Sequence, residues 1–254
     1  MLDHWPAPLR QGLFKLVGVD WAGQLLNRAW RTGRGDLHGM LDCLFRRNRF
    51  DITVENAERL DEVDSCIVAG NHPHGLFDGL ALAWLASQNG RETRVIARHF
   101  LNVFKPLRRV FLAVRLDSQR RSVSGRASFE AAQDWLNHGG RLVMTPAGGL
   151  SRAKPFWGRA RDPAWRTGIV RLAQSTGKPI VLVDIAMPES PIRQLLHSLH
   201  PIARAVVQVW AYRLGKHQTI HLRVVDVIQP EELPVDRPLP EQAAWLQHKL
   251  QPSG

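Results

Sequence analysis

Residues 71–79 read Asn-His-Pro-His-Gly-Leu-Phe-Asp-Gly, which puts His72, His74 and Asp78 within seven positions of one another. An imidazole takes up a proton near neutral pH, and a carboxylate accepting from one ring nitrogen fixes which nitrogen is free to do so. The stretch therefore suits a base with its orienting acid, a dyad able to deprotonate a hydroxyl or an amine. Two other readings stay open on these residues alone. His-x-His is a common pair of metal ligands, but His99, His138, His197 and His200 are scattered through polar patterns and offer no clear third and fourth ligand. A capped turn, with Asp78 stabilising the start of a helix, requires no function at all.

A second stretch with chemical potential is "TPAGGLSR", residues 145–152. Gly148 and Gly149 carry no Cβ, so backbone N–H groups there can approach an anion closely. Arg152 adds a guanidinium fork that matches phosphate oxygens. The plain alternative is a glycine-rich turn with an exposed arginine.

The elements around these stretches alternate. "FDITVE" reads as a strand, and "CIVAG" is a buried apolar run that ends at the histidine motif. "LALAWLAS" reads as a helix, "TRVIAR" as a strand, and "VFKPLRRVFLAV" as a short helix running into a strand. "SGRASFEAAQDWLNHG" has a serine cap and ends at Gly139; "RLVMT" is a strand; "PAWRTGIVRLAQSTG" is a helix closed by Gly177. "KPIVLVDI" shows no alternation, as expected of a strand buried on both faces. Strands near 206–212 and 219–228 and a helix over 240–250 complete the chain. This order predicts an α/β fold with a mostly parallel central sheet flanked by helices, over residues 50–254. Both motifs then follow strands, and the carboxyl ends of strands are where such sheets hold their ligands.

Residues 1–49 differ in character. Leu9, Leu13, Val17, Trp21 and Leu25 recur every fourth position, and Leu37, Met40, Leu41, Leu44 and Phe45 follow the rule of one helical face. These predict a pair of N-terminal amphipathic helices, in a head of the chain where Trp5, Trp21 and Trp30 cluster, that either cover the domain behind them or lie at a bilayer interface.

Composition narrows the class. An apolar share of 44% with 22% charged residues excludes a disordered chain. The net charge is +11, and only six of the 34 basic residues are Lys, leaving 28 Arg. The bland reading of that excess is a GC-rich genome, which favours Arg codons; the functional reading is a surface that meets phosphates or other anions. Nucleic acid is disfavoured as the partner, because no basic helix interleaved with aromatics, zinc finger or RNA-recognition pattern is present. Cys43 and Cys66 are too few for a disulfide framework, and neither a signal peptide nor a run of ~20 apolar residues is found. The expectation is a cytoplasmic protein on the inner face of the cell membrane.

"NHPHGLFDG" resembles the His-and-Asp signature of the glycerophospholipid acyltransferase superfamily, in particular its bacterial haemolysin-like branch. Five residues separate His72 from Asp78, as in the branch that carries the proline, and this makes His72 the closer match to the catalytic histidine. The "HPHG" string is also similar to a diacylglycerol acyltransferase signature, which keeps His74 as the alternative. "TPAGGLSR" falls where the family has its "FPEGTRS"-like block, "LAVRLDSQRR" (112–121) where it has its second block, near the acceptor, and "GRARDPAWRTGIVRLAQSTGKPIVLV" resembles the helix and strand that follow. The similarity runs from about 50 to 229. It implies transfer of a fatty acyl group from acyl-CoA or acyl carrier protein (acyl-ACP) to a lysolipid-like acceptor, with no cofactor and no metal. His72 would be the general base, Asp78 its support, and Gly148, Gly149, Arg152, Arg115 and Arg121 would bind substrate. An anionic membrane surface is the implied partner. One departure stands out: Ala147 and Gly149 occupy positions where the family carries an acidic residue, which puts lysophosphatidate as acceptor in question. A thioester or ester hydrolase using the same dyad, and a non-catalytic basic membrane-binding protein, are the competing functions.

Overall fold

The computed structural model describes residues 18–98, 105–114, 125–151, 160–188 and 217–250. Arg115, Arg121 and Arg152, the strand expected near 206–212, and His99, His197, His200, Trp5 and Trp210 lie outside the described residues.

Two helices open the described chain, α1 (Val19–Thr32) and α2 (Leu37–Arg47), the second capped by Asp36, whose carboxylate accepts from Gly39 N at 2.8 Å. Then follow β1 (Phe50–Glu55), the single-turn α3 (Glu58–Asp61), β2 (Ile67–Gly70), α4 (Leu76–Ala86), β3 (Thr93–Arg98) and β4 (Phe111–Val114). The second half holds α5 (Gly125–Asn137), β5 (Arg141–Met144), α6 (Gly168–Thr176), β6 (Ile180–Ala186), β7 (Gln218–Ile228) and α7 (Leu239–Leu250). The expected α/β order is present. Among the described residues α3 is the one α-helix that the hydrophobic pattern did not announce, being too short to show a period.

The described strands form one seven-stranded sheet in the order β1-β7-β6-β2-β5-β3-β4. Every described pairing is parallel except that of β6 with β7. Side chains alternate between the two faces as strand geometry requires. Val68, Val143, Val181, Val183 and Ile185 join a core with α1, α2 and α4. Their neighbours Ile67, Ala69, Leu142, Met144, Ile180 and Leu182 join a second core with α5, α6 and α7. The sheet is thus the middle layer of three, and its central strand β2 is apolar at every position because both faces are covered.

The apolar faces of α1 and α2 are part of the first core: Leu25, Leu26, Ala29, Met40, Leu41, Leu44 and Phe45 are buried, and Trp21 and Trp30 pack at its margin. Behind the sheet, Arg141 is almost fully buried and donates to the carbonyls of Leu60 (2.9 Å) and Val63 (2.7 Å), which ties α3 to the start of β5.

One boundary differs from expectation. The helix read from Pro163 begins five residues later, at Gly168. The segment Asp162–Arg166 is outside any helix and is tied down instead by distant partners: Trp165 N donates to Gln247 Oε1 on α7 (3.1 Å), and Arg166 N donates to Pro146 O (3.1 Å). Hydrogen bonds to partners distant in sequence outweigh the local helical preference here, and periodicity cannot register them.

Candidate active site

β2 lies between β5 and β6, so the turns that leave β2 and β5 emerge side by side at the same edge of the sheet. Asn71 fixes the exit from β2. Its buried side chain accepts from Ile185 N (2.7 Å) and donates to Ile185 O (3.0 Å), continuing the ladder with β6 by side-chain means.

The chain then turns through His72, Pro73, His74 and Gly75 into α4. Gly75 has φ 87° and ψ −116°, a conformation that a Cβ excludes, so glycine is required here. Asp78, in the first turn of α4 and fully buried, reaches back and accepts from His74 N and Gly75 N, both at 2.8 Å. The capped-turn reading is therefore correct as local structure, and it does not exclude the dyad. The same oxygen, Asp78 Oδ2, lies 3.0 Å from His72 Nδ1, and the His72 side chain is 20% exposed. The approach is within ion-pair distance but off the line of a hydrogen bond, and neither His72 Nδ1 nor Asp78 Oδ1 has a hydrogen-bond partner among the described residues. The distance is the more telling observation, because catalytic hydrogen bonds commonly align only when substrate is bound. The His74 ring, by contrast, is buried (2% exposed), and the His74 main-chain N–H donates to Asp78. His72 thus presents one ring nitrogen to a buried carboxylate while its exposed part faces outward, which is the geometry of a base with an orienting acid.

The second turn, 145–151, sits against the first. Ser151 N donates to His72 O at 2.8 Å. Gly148 has φ 61°, in the left-handed region, and a Cβ built on it would lie 2.6 Å from Arg166 Nε. The glycine therefore makes room for an arginine over the turn, and Arg166 joins Gly148 and Gly149 as a cation at this site that sequence reasoning passed over. Gly149 is half-buried beside it.

Asp162 is the other residue that the sequence reading did not single out. Its Oδ1 accepts from His72 N (3.0 Å) and from the Ser151 hydroxyl, and its Oδ2 accepts from the Trp165 indole N–H (3.0 Å). Burial pushes its carboxyl above the usual range, against the lowering effect of these donors. A signal was present: Asp162 is the sole acidic residue between Asp134 and Asp184 in a strongly basic chain. Among the described residues no group of three or more His, Cys, Asp or Glu is arranged to hold a metal ion.

The Acyltransferase family matches residues 51–186, just over half of the chain and the span that carries both turns, Asp78 and Asp162. The chain belongs to this family and is an acyltransferase. Among solved structures it is similar to the 1-acyl-sn-glycerophosphate (LPA) acyltransferase PlsC from Thermotoga maritima, with 17% sequence identity and a TM-score of 0.51 over 90% of this chain and 80% of that one. At that identity the likeness speaks for the fold, a mostly parallel sheet flanked by helices. No curated protein matches the sequence.

Proposed function

We propose that the protein transfers a fatty acyl group from a thioester donor, acyl-CoA or acyl-ACP, to the hydroxyl or amine of a lysolipid-like acceptor in membrane-lipid biosynthesis. The observation that carries this reading is the approach of His72 Nδ1 to the buried Asp78 carboxylate at 3.0 Å, at the mouth formed by the turns after β2 and β5. The similar fold of an enzyme described as acylating LPA supports the choice of a lysolipid-like acceptor.

In the proposed step the acceptor O–H or N–H gives its proton to His72 as its heteroatom attacks the thioester carbonyl. Asp78 supports the imidazolium that forms. The tetrahedral oxyanion is held by backbone N–H groups of the glycine turns. Its collapse expels the thiolate, which takes the proton back from His72. No acyl-enzyme and no cofactor are needed, because the acceptor itself attacks. Gly148 and Gly149, with Arg152, Arg115 and Arg121, would serve the anionic parts of the substrates, and Arg166, packed over Gly148, lies at the same turn. The +11 charge suits both an acidic donor and an anionic membrane surface. No described helix is long and apolar enough to cross a membrane, so the proposed association with the inner face of the membrane is peripheral, through the basic surface and the N-terminal segment.

The test follows thiol release from acyl-CoA and acyl-ACP with a panel of lysolipids and amino-lipids. Release that depends on acceptor and falls ~100-fold or more in His72→Ala is the expected result. Release that ignores the acceptor makes the protein a thioester hydrolase, and a fall confined to His74→Ala moves the base to His74.

A further inference from the structure

The proposed base does not hold its own position. Strand pairing of β2 ends at Gly70, and the side chain of Asn71 provides the last link to β6. From there both main-chain polar groups of His72 are taken by residues distant in sequence: its N–H by Asp162 Oδ1 (3.0 Å) and its carbonyl by Ser151 N–H (2.8 Å). Ser151 and Asp162 are joined to each other by the Ser151 hydroxyl, which donates to the same Asp162 oxygen. The other oxygen of Asp162 is anchored by the Trp165 indole. Gln247 on α7 closes the arrangement: its amide nitrogen donates to Asp162 O (3.3 Å) and Pro163 O (3.2 Å), and its oxygen accepts from Trp165 N (3.1 Å). None of these groups touches Asp78.

We propose that Asp162 is a positioning residue for acyl transfer, clamping the main chain of His72 through its N–H and, by way of Ser151, through its carbonyl, so that the imidazole stays in register with Asp78. This rests on the reading of His72 as the base. A carboxylate is the side chain that fits, because three neutral donors converge on its two oxygens. An amide has one acceptor oxygen, and its NH2 group would have to face either the Trp165 N–H or the His72 and Ser151 donors. A carboxylate largely withdrawn from water is costly to keep charged, and the clamp is what it accomplishes. Its burial, which raises its carboxyl, is the mark of that cost.

Five forms of the full chain test this: wild type, His72→Ala, Ser151→Ala, Asp162→Asn, and Asp162→Asn combined with Trp165→Phe. Each is read for kcat, KM for the acyl donor, Tm, and the ring 15N chemical shifts of His72. The expected result for Asp162→Asn is a fall in kcat of ~10- to 100-fold, the scale of a reacting group misplaced by ~1 Å, with donor KM within about twofold. Adding Trp165→Phe removes the opposed donor, lets the amide oxygen serve His72 and Ser151, and recovers part of kcat. Ser151→Ala, which leaves Asp162 in place, lowers kcat less with the same split, and it decides the matter if Asp162→Asn does not fold. The His72 ring shifts move in both variants, while those of the remote His217 stay. The inference is overturned if His72→Ala abolishes turnover while Asp162→Asn and Ser151→Ala keep kcat within twofold, or if Tm falls with kcat and the His72 shifts unchanged. Turnover that survives His72→Ala removes the base assignment and this inference with it.

Discussion

Replacing Asp78 by Asn separates the two tasks of that carboxylate. Its Oδ2 accepts from His74 N and Gly75 N at 2.8 Å, a task that an amide oxygen can also perform, though more weakly, so the turn into α4 is kept. What is lost is the negative charge 3.0 Å from His72 Nδ1. At that distance an imidazolium and a carboxylate attract by about 5 kcal/mol at an effective dielectric constant of ~20. Water at the partly exposed imidazole reduces this to about 3–4 kcal/mol. If the imidazolium develops in the transition state, the loss corresponds to a fall in kcat of roughly 100- to 1000-fold. Asp78→Ala removes the acceptor as well and orphans two backbone N–H groups, at about 1–3 kcal/mol each. The assay is acceptor-dependent thiol release beside urea unfolding for both variants. The reasoning requires Asp78→Asn to lose activity with stability within about 1 kcal/mol of wild type, and Asp78→Ala to lose both. An Asp78→Asn enzyme with more than a third of the wild-type kcat would show that Asp78 is only a helix cap.

Two further predictions concern the second turn and the core. Gly148→Ala forces a Cβ into a left-handed conformation and against Arg166, so we expect about 1–2 kcal/mol of destabilisation. Its activity should fall further than this loss explains, because Arg166 is displaced from the turn; activity that follows only the folded fraction speaks against a role for the turn. Burial pushes the Cys66 thiol from about 9 up to about 12, with Arg141 and Arg91 pulling weakly the other way. The folded state therefore holds this proton more tightly than the unfolded chain, and the associated stability is complete below pH 9 and lost as the pH rises towards 12. Between pH 8 and pH 10.5 wild type should lose about 2 kcal/mol more than Cys66→Ala in urea unfolding; equal losses refute the assignment.

The sequence by itself determined the layers and pointed to the candidate site. The apolar run of β2, the non-alternating run of β6 and the three- and four-residue spacing of α1 and α2 are local patterns set by strand and helix geometry, and the structure follows them. The "NHPHGLFDG" stretch carried its own turn in Gly75 and its own cap in Asp78, so its conformation was legible from nine residues. Choosing between two histidines was not a local matter. His72 and His74 are both near Asp78 in sequence, and only the path of the turn sets the first ring at the carboxylate while burying the second. Tertiary structure likewise decided that Asp162–Arg166 is not helical, because Gln247 lies 82 residues from Trp165 and leaves no periodic trace at either end. The clamp on His72 joins residues 72, 151 and 162 through main-chain and side-chain hydrogen bonds across two adjacent strand ends. A sequence records which donors and acceptors a chain owns; which of them meet depends on the order of β6, β2 and β5 in the sheet, and that order is settled only when the whole core packs.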